Sequence, residues 1–159
     1  MCRFQQTNLH RVAYQYDLLL CRDLSEIANY ATVDNVQFKQ LKAHTPAPIT
    51  FILTATKDVP KKLAHAKKKT IGIRVPSNPI AQALLEAMDE PILTSSLILP
   101  NRDDILDDPF EIEDLLGNQI DGLINAGIKT TKLTTIVDMT SSVPEVIRQG
   151  AANVDSLLL

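Results

Sequence analysis

The sequence contains no tryptophan, and its aromatic content is only 4%. Stacking of unpaired bases on aromatic platforms, the usual means of holding single-stranded RNA, therefore has little to work with. Five glycines make neither a G-x-G-x-x-G dinucleotide fingerprint nor a G-x-x-x-x-G-K-[ST] phosphate loop. Cys2 and Cys21 are the two cysteines. They match no metal spacing and no disulfide framework, so reduced thiols in the cytoplasm are expected. No secretory leader is evident, and no apolar run reaches the length a membrane span needs. His10, His44 and His65 are scattered among polar neighbours and read as surface histidines. Ser95 and Ser96 lack the glycine frame of a nucleophile elbow.

What is present is ordinary for a globular protein: 159 residues, 45% hydrophobic, 22% charged, with a formal net charge of −3. That length suits one domain with a proper core, and no repeat or linker divides residues 1–159. The charge is unevenly placed. Lys57, Lys61, Lys62, Lys67, Lys68, Lys69 and Arg74 face one nearby acid, Asp58. Between Asp103 and Asp114 the sign reverses, with Asp103, Asp104, Asp107, Asp108, Glu111, Glu113 and Asp114 unopposed. A basic run can attract phosphates even on an acidic protein, although a solvated face is its commoner meaning.

Local patterns predict interleaved strands and helices. Leu18–Cys21 reads as a buried strand. Asp23 with Glu26 and Asp34 with Gln37 are two capping-box signatures, opening helices over Leu24–Tyr30 and through Val36, Phe38, Leu41 and Lys42. Pro46-Ala47-Pro48 ends the second helix and leads into a strand over Ile49–Thr56. Pro60–His65 suggests one helical turn. Asn78 and Pro79 begin the clearest helix, to Met88. Strands are expected over Ile92–Leu97, Gly122–Asn125, Thr134–Met139 and Glu145–Arg148, with a helix opened by Asp108 and Pro109 and ending near Leu116. The class is α/β or mixed α+β.

One stretch carries the functional argument. In Thr70-Ile71-Gly72-Ile73-Arg74-Val75-Pro76, the apolar residues alternate with Thr70, Gly72 and Arg74, as on a half-buried strand. A hydroxyl and a guanidinium flanking a bare backbone position could receive an anionic or phosphorylated ligand; an edge strand with a solvated arginine fits the pattern equally well. Other hydroxyls and arginines stand at strand ends: Thr94 with Ser96, Thr134 with Thr135, and Arg148. Such a set binds and orients a ligand without supplying a nucleophile or base. Any reaction it promoted would depend on positioning and charge neutralisation.

Several of these segments, in order and spacing, resemble the YrdC-like domain: Pro46–Leu53, Lys69–Pro76, Pro91–Ser96, Thr134–Asp138 and Arg148-Gln149-Gly150. Leu20–Ser25 and Leu97–Pro100 are most similar to the YciO branch. The resemblance implies a twisted, mainly parallel or mixed sheet with flanking helices and a positively charged concave face. It implies the activity of threonylcarbamoyl-adenylate synthases, which join L-threonine, bicarbonate and ATP and release pyrophosphate on the way to modified tRNA. ATP is then a substrate, accompanied by magnesium, and no prosthetic group is needed. By the same resemblance Thr70, Thr94, Ser96, Thr134 and Arg148 are nucleotide contacts, Arg74 holds the threonine substrate, and no residue is assigned a catalytic step. Binding of double-stranded RNA or tRNA is implied as well, for which Lys57, Lys61, Lys62, Lys67, Lys68 and Lys69 are the candidates.

The sequence also departs from that family pattern. Ile98 stands where synthases carry the Asn of Ser-x-Asn, and Ala47 replaces the glycine of Pro-Gly-Pro. No Lys-x-Arg motif is found around Arg3–Arg11, and the segment bearing Tyr-Pro-Thr-Asp-Thr is absent. The chain is therefore expected to lack the family's first strand, with activity in doubt. Two alternatives follow: a non-catalytic RNA-binding module, or an inactive fragment.

Overall fold

A computed structural model describes residues 18–57, 59, 69–100, 102, 104–128 and 132–158. They fall in two compact units, one within Asp17–Thr94 and Leu133–Leu159, the other within Ser95–Lys132. The expected turn over Pro60–His65 lies outside the described residues.

The larger unit is built on a seven-stranded mixed sheet. Its strands are β1 (Leu18–Leu20), β2 (Ala31–Thr32), β3 (Ile49–Ala55), β4 (Thr70–Arg74), β5 (Ile92–Thr94), β6 (Thr135–Asp138) and β7 (Glu145–Arg148). They lie in the order β5-β1-β4-β3-β6-β7, with β2 paired to one end of β3. Parallel pairing is confined to β1 with β4 and β3 with β6; the other four pairings among the described residues are antiparallel. The mixed form of the expected sheet thus holds rather than the mainly parallel one.

Pleating explains which side of this sheet is the core. Register sets Leu19 opposite Ile73 and Leu93, Ile73 opposite Phe51, and Phe51 opposite Val137. Leu19, Ile73, Phe51, Leu53, Ile71, Ile49 and Val137 are all buried in one cluster with Ile27, Leu41, Met139, Val154 and Leu157. Ile27 comes from helix α1 (Leu24–Tyr30) and Leu41 from helix α2 (Asn35–Ala43). Burial of each such side chain is worth about 1.5–3 kcal/mol, so this face dominates the unit's stability.

The two capping signatures resolve differently. Around α2 the box is reciprocal: Asp34 accepts from the N–H groups of Val36 and Gln37, and the Gln37 side chain accepts from the Asp34 N–H. In α1 Asp23 accepts from the Glu26 N–H, but the Glu26 carboxylate takes the Arg22 N–H at 2.7 Å. The Arg22 guanidinium, 3.4 Å from Glu26, draws it one residue beyond the box. Arg22 also reaches Asp89 at 2.6 Å. Asp89 ends helix α3 (Pro79–Met88) in the left-handed region, and Asn78 caps its start.

In the smaller unit, helix α4 (Pro109–Leu116) begins at the Asp108 cap. Arg102 ties the acidic stretch together through Glu111 at 2.6 Å and Asp104 at 3.5 Å. Two strand expectations are corrected. Gly122–Asn125 is loop: Leu123 and Ile124 are exposed, and a two-residue apolar run has no ladder to join. The strand from Ile92 stops at Thr94, where its pairing with β1 ends.

Candidate functional site

The face of the sheet opposite the core is lined with hydroxyls. Gly72 stands opposite Leu18 on one side and Ile52 on the other; Leu18 in turn faces Thr94, and Ile52 faces Asp138. Thr54 pairs with Thr70, Thr50 with Ile136, and Ile136 with Arg148. Residues directly opposite in a ladder project from the same face. Thr70, Arg74, Thr94 and Arg148 therefore share one surface, and a side-chain hydrogen bond from Thr50 brings Thr134 onto it. Its floor is Ile52, Ile136, Gly72 and Thr50, all buried.

Arg74 is held by its backbone, and its head has no partner among the described residues. Its carbonyl accepts from the Cys21 N–H at 2.9 Å, and the neighbouring Val75 carbonyl accepts from the Ala47 N–H at 3.2 Å. The guanidinium is half-buried, and its Nε is buried without a hydrogen-bond partner. No ion pair reaches it among the described residues. Burial, with no compensating acid, holds its pKa below the ordinary arginine value. A buried donor left unsatisfied is costly, which marks this position as one where an acceptor from outside the chain would be taken up.

The second cationic group is ordered differently. Arg148 donates from Nε and Nη2 to the Thr134 carbonyl at 3.2 and 3.0 Å, and Nη2 reaches the Thr134 hydroxyl at 3.5 Å. The Thr134 hydroxyl lies 2.9 Å from that of Thr50. Below, the buried Thr135 hydroxyl donates to the Ala152 carbonyl at 2.6 Å and accepts from the N–H groups of Gly150 and Ala152. Gly150 is packed so closely that a Cβ there would overlap the backbone of Leu133 and Thr134. This is the physical content of the Arg148-Gln149-Gly150 motif: the glycine lets the chain after β7 close on the start of β6, and so sets Arg148 against Thr134.

Thr50 and Arg74 follow the Phe51–Ile73 pair at the same end of adjacent antiparallel strands. Arg74, on β4, and Thr134, at the start of β6, lie on either side of β3. Five of the sequence-expected residues, Thr70, Arg74, Thr94, Thr134 and Arg148, are thus gathered on one face. Thr94 is partly occupied, donating to the Leu18 carbonyl at 3.3 Å. Ser96 belongs to the smaller unit and is exposed. Lys57 and Lys69 are exposed; Lys61, Lys62, Lys67 and Lys68 lie outside the described residues. Thr50, Thr54 and Asp138 were not anticipated. Alternation in Ile49–Ala55 could have placed Thr50 and Thr54 on one side, but not on this side.

Among the described residues no three His, Cys, Asp or Glu side chains are grouped to hold a metal ion, and no helix is long and apolar enough to cross a membrane.

Residues 15–150 match the Sua5/yciO/yrdC family, described as telomere recombination. The chain is 51% identical over 140 residues to the YciO protein of Escherichia coli K12, covering 88% of this chain and 68% of that one. It is 29% identical over 155 residues to a putative threonylcarbamoyl-AMP synthase of Methanocaldococcus jannaschii, covering 94% of this chain and 70% of the relative. The crystal structure of E. coli YciO superposes with a TM-score of 0.84 at 50% identity, over 91% of this chain and 69% of that one. The structure of P. abyssi Sua5 complexed with L-threonine shares the fold, with a TM-score of 0.80 at 20% identity, over 91% of this chain and 43% of that one.

Proposed function

The chain belongs to the Sua5/yciO/yrdC family, and from that membership we propose that its hydroxyl-lined sheet face binds L-threonine and ATP in the manner of a threonylcarbamoyl-AMP synthase. The observation that carries the reading is Arg74, a half-buried guanidinium with an orphaned Nε and no carboxylate partner among the described residues. A substrate carboxylate supplies the missing charge and the missing acceptor together. Arg148 and the Thr134 hydroxyl, on the far side of β3 from Arg74, take the nucleotide, with Thr70 and Thr94 along the same face. In the reaction L-threonine, bicarbonate and ATP give threonylcarbamoyl-adenylate, pyrophosphate and water. The residues gathered here contribute positioning and charge neutralisation to it rather than a nucleophile or base. Magnesium would enter with the ATP phosphates.

Calorimetric titration with L-threonine and with ATP tests the binding, and pyrophosphate release with all three substrates tests turnover. Saturable binding of both ligands supports the reading. Absence of binding by a protein with a cooperative melt overturns it, whereas binding without pyrophosphate release assigns a nucleotide- and threonine-binding protein without synthase activity.

A second reading, RNA binding, draws on the exposure of Lys57 and Lys69. It would be directed by shape and phosphate, since the chain offers few aromatic platforms. Retention of double-stranded RNA that is indifferent to salt would overturn it.

A further inference from the structure

Thr50 is 3% exposed, and among the described residues its hydroxyl meets one polar partner, the Thr134 hydroxyl at 2.9 Å. We infer that Thr50 is a positioning residue: it donates its proton to Thr134 and thereby sets the Thr134 hydroxyl as a donor toward an acceptor-only ligand oxygen, that of a phosphate. The inference deepens the ATP reading above and rests on it.

The argument is one of hydroxyl capacity. A threonine hydroxyl has one proton to give and two lone pairs to accept with. If Thr134 donated to Thr50, the Thr50 proton would be left buried with nowhere to go, the costly case for a polar group. Burial therefore selects the opposite sense, Thr50 to Thr134. On Thr134 one lone pair then receives Thr50, and the other faces the Arg148 Nη2 at 3.5 Å. Its remaining capacity is its proton, and Thr134 is only partly buried, so that proton is available to a ligand. An oxygen that is itself a donor, such as a ribose hydroxyl, gains less there than a phosphate oxygen. The nearby Arg148 guanidinium, bonded to the Thr134 carbonyl, adds a positive charge of the matching sense.

The experiment compares Thr50→Val, which keeps the shape and removes the hydroxyl, with Thr50→Ser, which restores it. ATP affinity is expected to fall about tenfold in Thr50→Val and to return in Thr50→Ser, with adenosine binding moved by neither. In the unaltered protein, the Thr50 hydroxyl proton should exchange slowly by NMR and show a nuclear Overhauser contact to Thr134, while the Thr134 hydroxyl proton exchanges fast; the reverse order would mean that Thr134 is the donor. ATP binding by Thr50→Val equal to that of the unaltered protein overturns the inference, and so does a fast-exchanging Thr50 hydroxyl. If the unaltered protein binds no ATP, the ATP reading falls by itself, and the hydroxyl measurement still decides the direction of the Thr50–Thr134 bond.

Discussion

At the scale of the residue, two side chains illustrate opposite uses of burial. Arg74 keeps its charge in a half-buried place with no partner for Nε, and desolvation lowers its pKa. Arg74→Met keeps the aliphatic stem and removes the orphan donor. The ligand-free variant is expected to melt at or above the temperature of the parent protein, because an unsatisfied buried donor costs about 1–3 kcal/mol. Its stabilisation by L-threonine should vanish, and a thermal shift that survives the substitution would refute the assignment. Cys21 is fully buried, and burial first, then Glu26 and Asp23, push its thiol well above the ordinary 9.0. The unfolded chain loses this proton as pH rises through that ordinary value, while the folded chain keeps it. Stability is therefore untouched below pH 9 and falls above it, by about 1.4 kcal/mol per pH unit from this group. Chemical denaturation between pH 8 and 10.5 should show that slope in a Cys2→Ser background and lose its Cys21 part in Cys2→Ser/Cys21→Ala. In the same background native Cys21 should resist alkylation until denaturant is added.

At the scale of the element, much was legible because caps and periods are local. The starts of α2, α3 and α4 follow from Asp34, Asn78 and Asp108, each a short acceptor side chain satisfying N–H groups within three residues. Asp34→Ala removes an acceptor bonded to two of them. The expected loss is about 1 kcal/mol, or 2–4 °C in melting temperature for a chain of this size. Glu26 shows where local reading stops: its carboxylate answers to Arg22, which is itself drawn to Asp89 across the fold. Gly122–Asn125 shows the converse, since its apolar pair meets no partner strand. Gly150 matters through a contact with the start of β6, not through its own conformation. Gly150→Ala should destabilise by about 1–3 kcal/mol and also weaken ATP binding, because the displaced backbone is the one Arg148 grips.

At the scale of the whole molecule, the sheet brings cationic and hydroxyl groups from distant parts of the chain to one face, although the chain's formal net charge is −3. Function of this kind depends on local charge rather than the total. If the lysine segment binds RNA, neutralising Lys57 and Lys69 together should weaken retention uniformly across sequences and reduce the salt slope by up to about two. Filter binding over a salt series measures this, and an unchanged slope would clear both residues of any phosphate contact.

By itself the sequence determined most element types, though not β2 and not the loop at Gly122–Asn125, all four helix N-caps, the period-2 face of Thr70, Gly72 and Arg74, and, through ordered motifs, the family. These are short-range properties, or properties of residue order. Only the tertiary structure decided strand partners: β4 lies between β1 and β3, β6 lies beside β3, and antiparallel pairs outnumber parallel ones among the described residues. Period 2 says which residues share a side of one strand but not which strand lies alongside, because that choice is made by burying Leu19, Phe51, Ile73 and Val137 together. Once that core face is set, the opposite face follows. It is there that Thr50, unremarkable in its own strand, comes to lie against Thr134, 84 residues later.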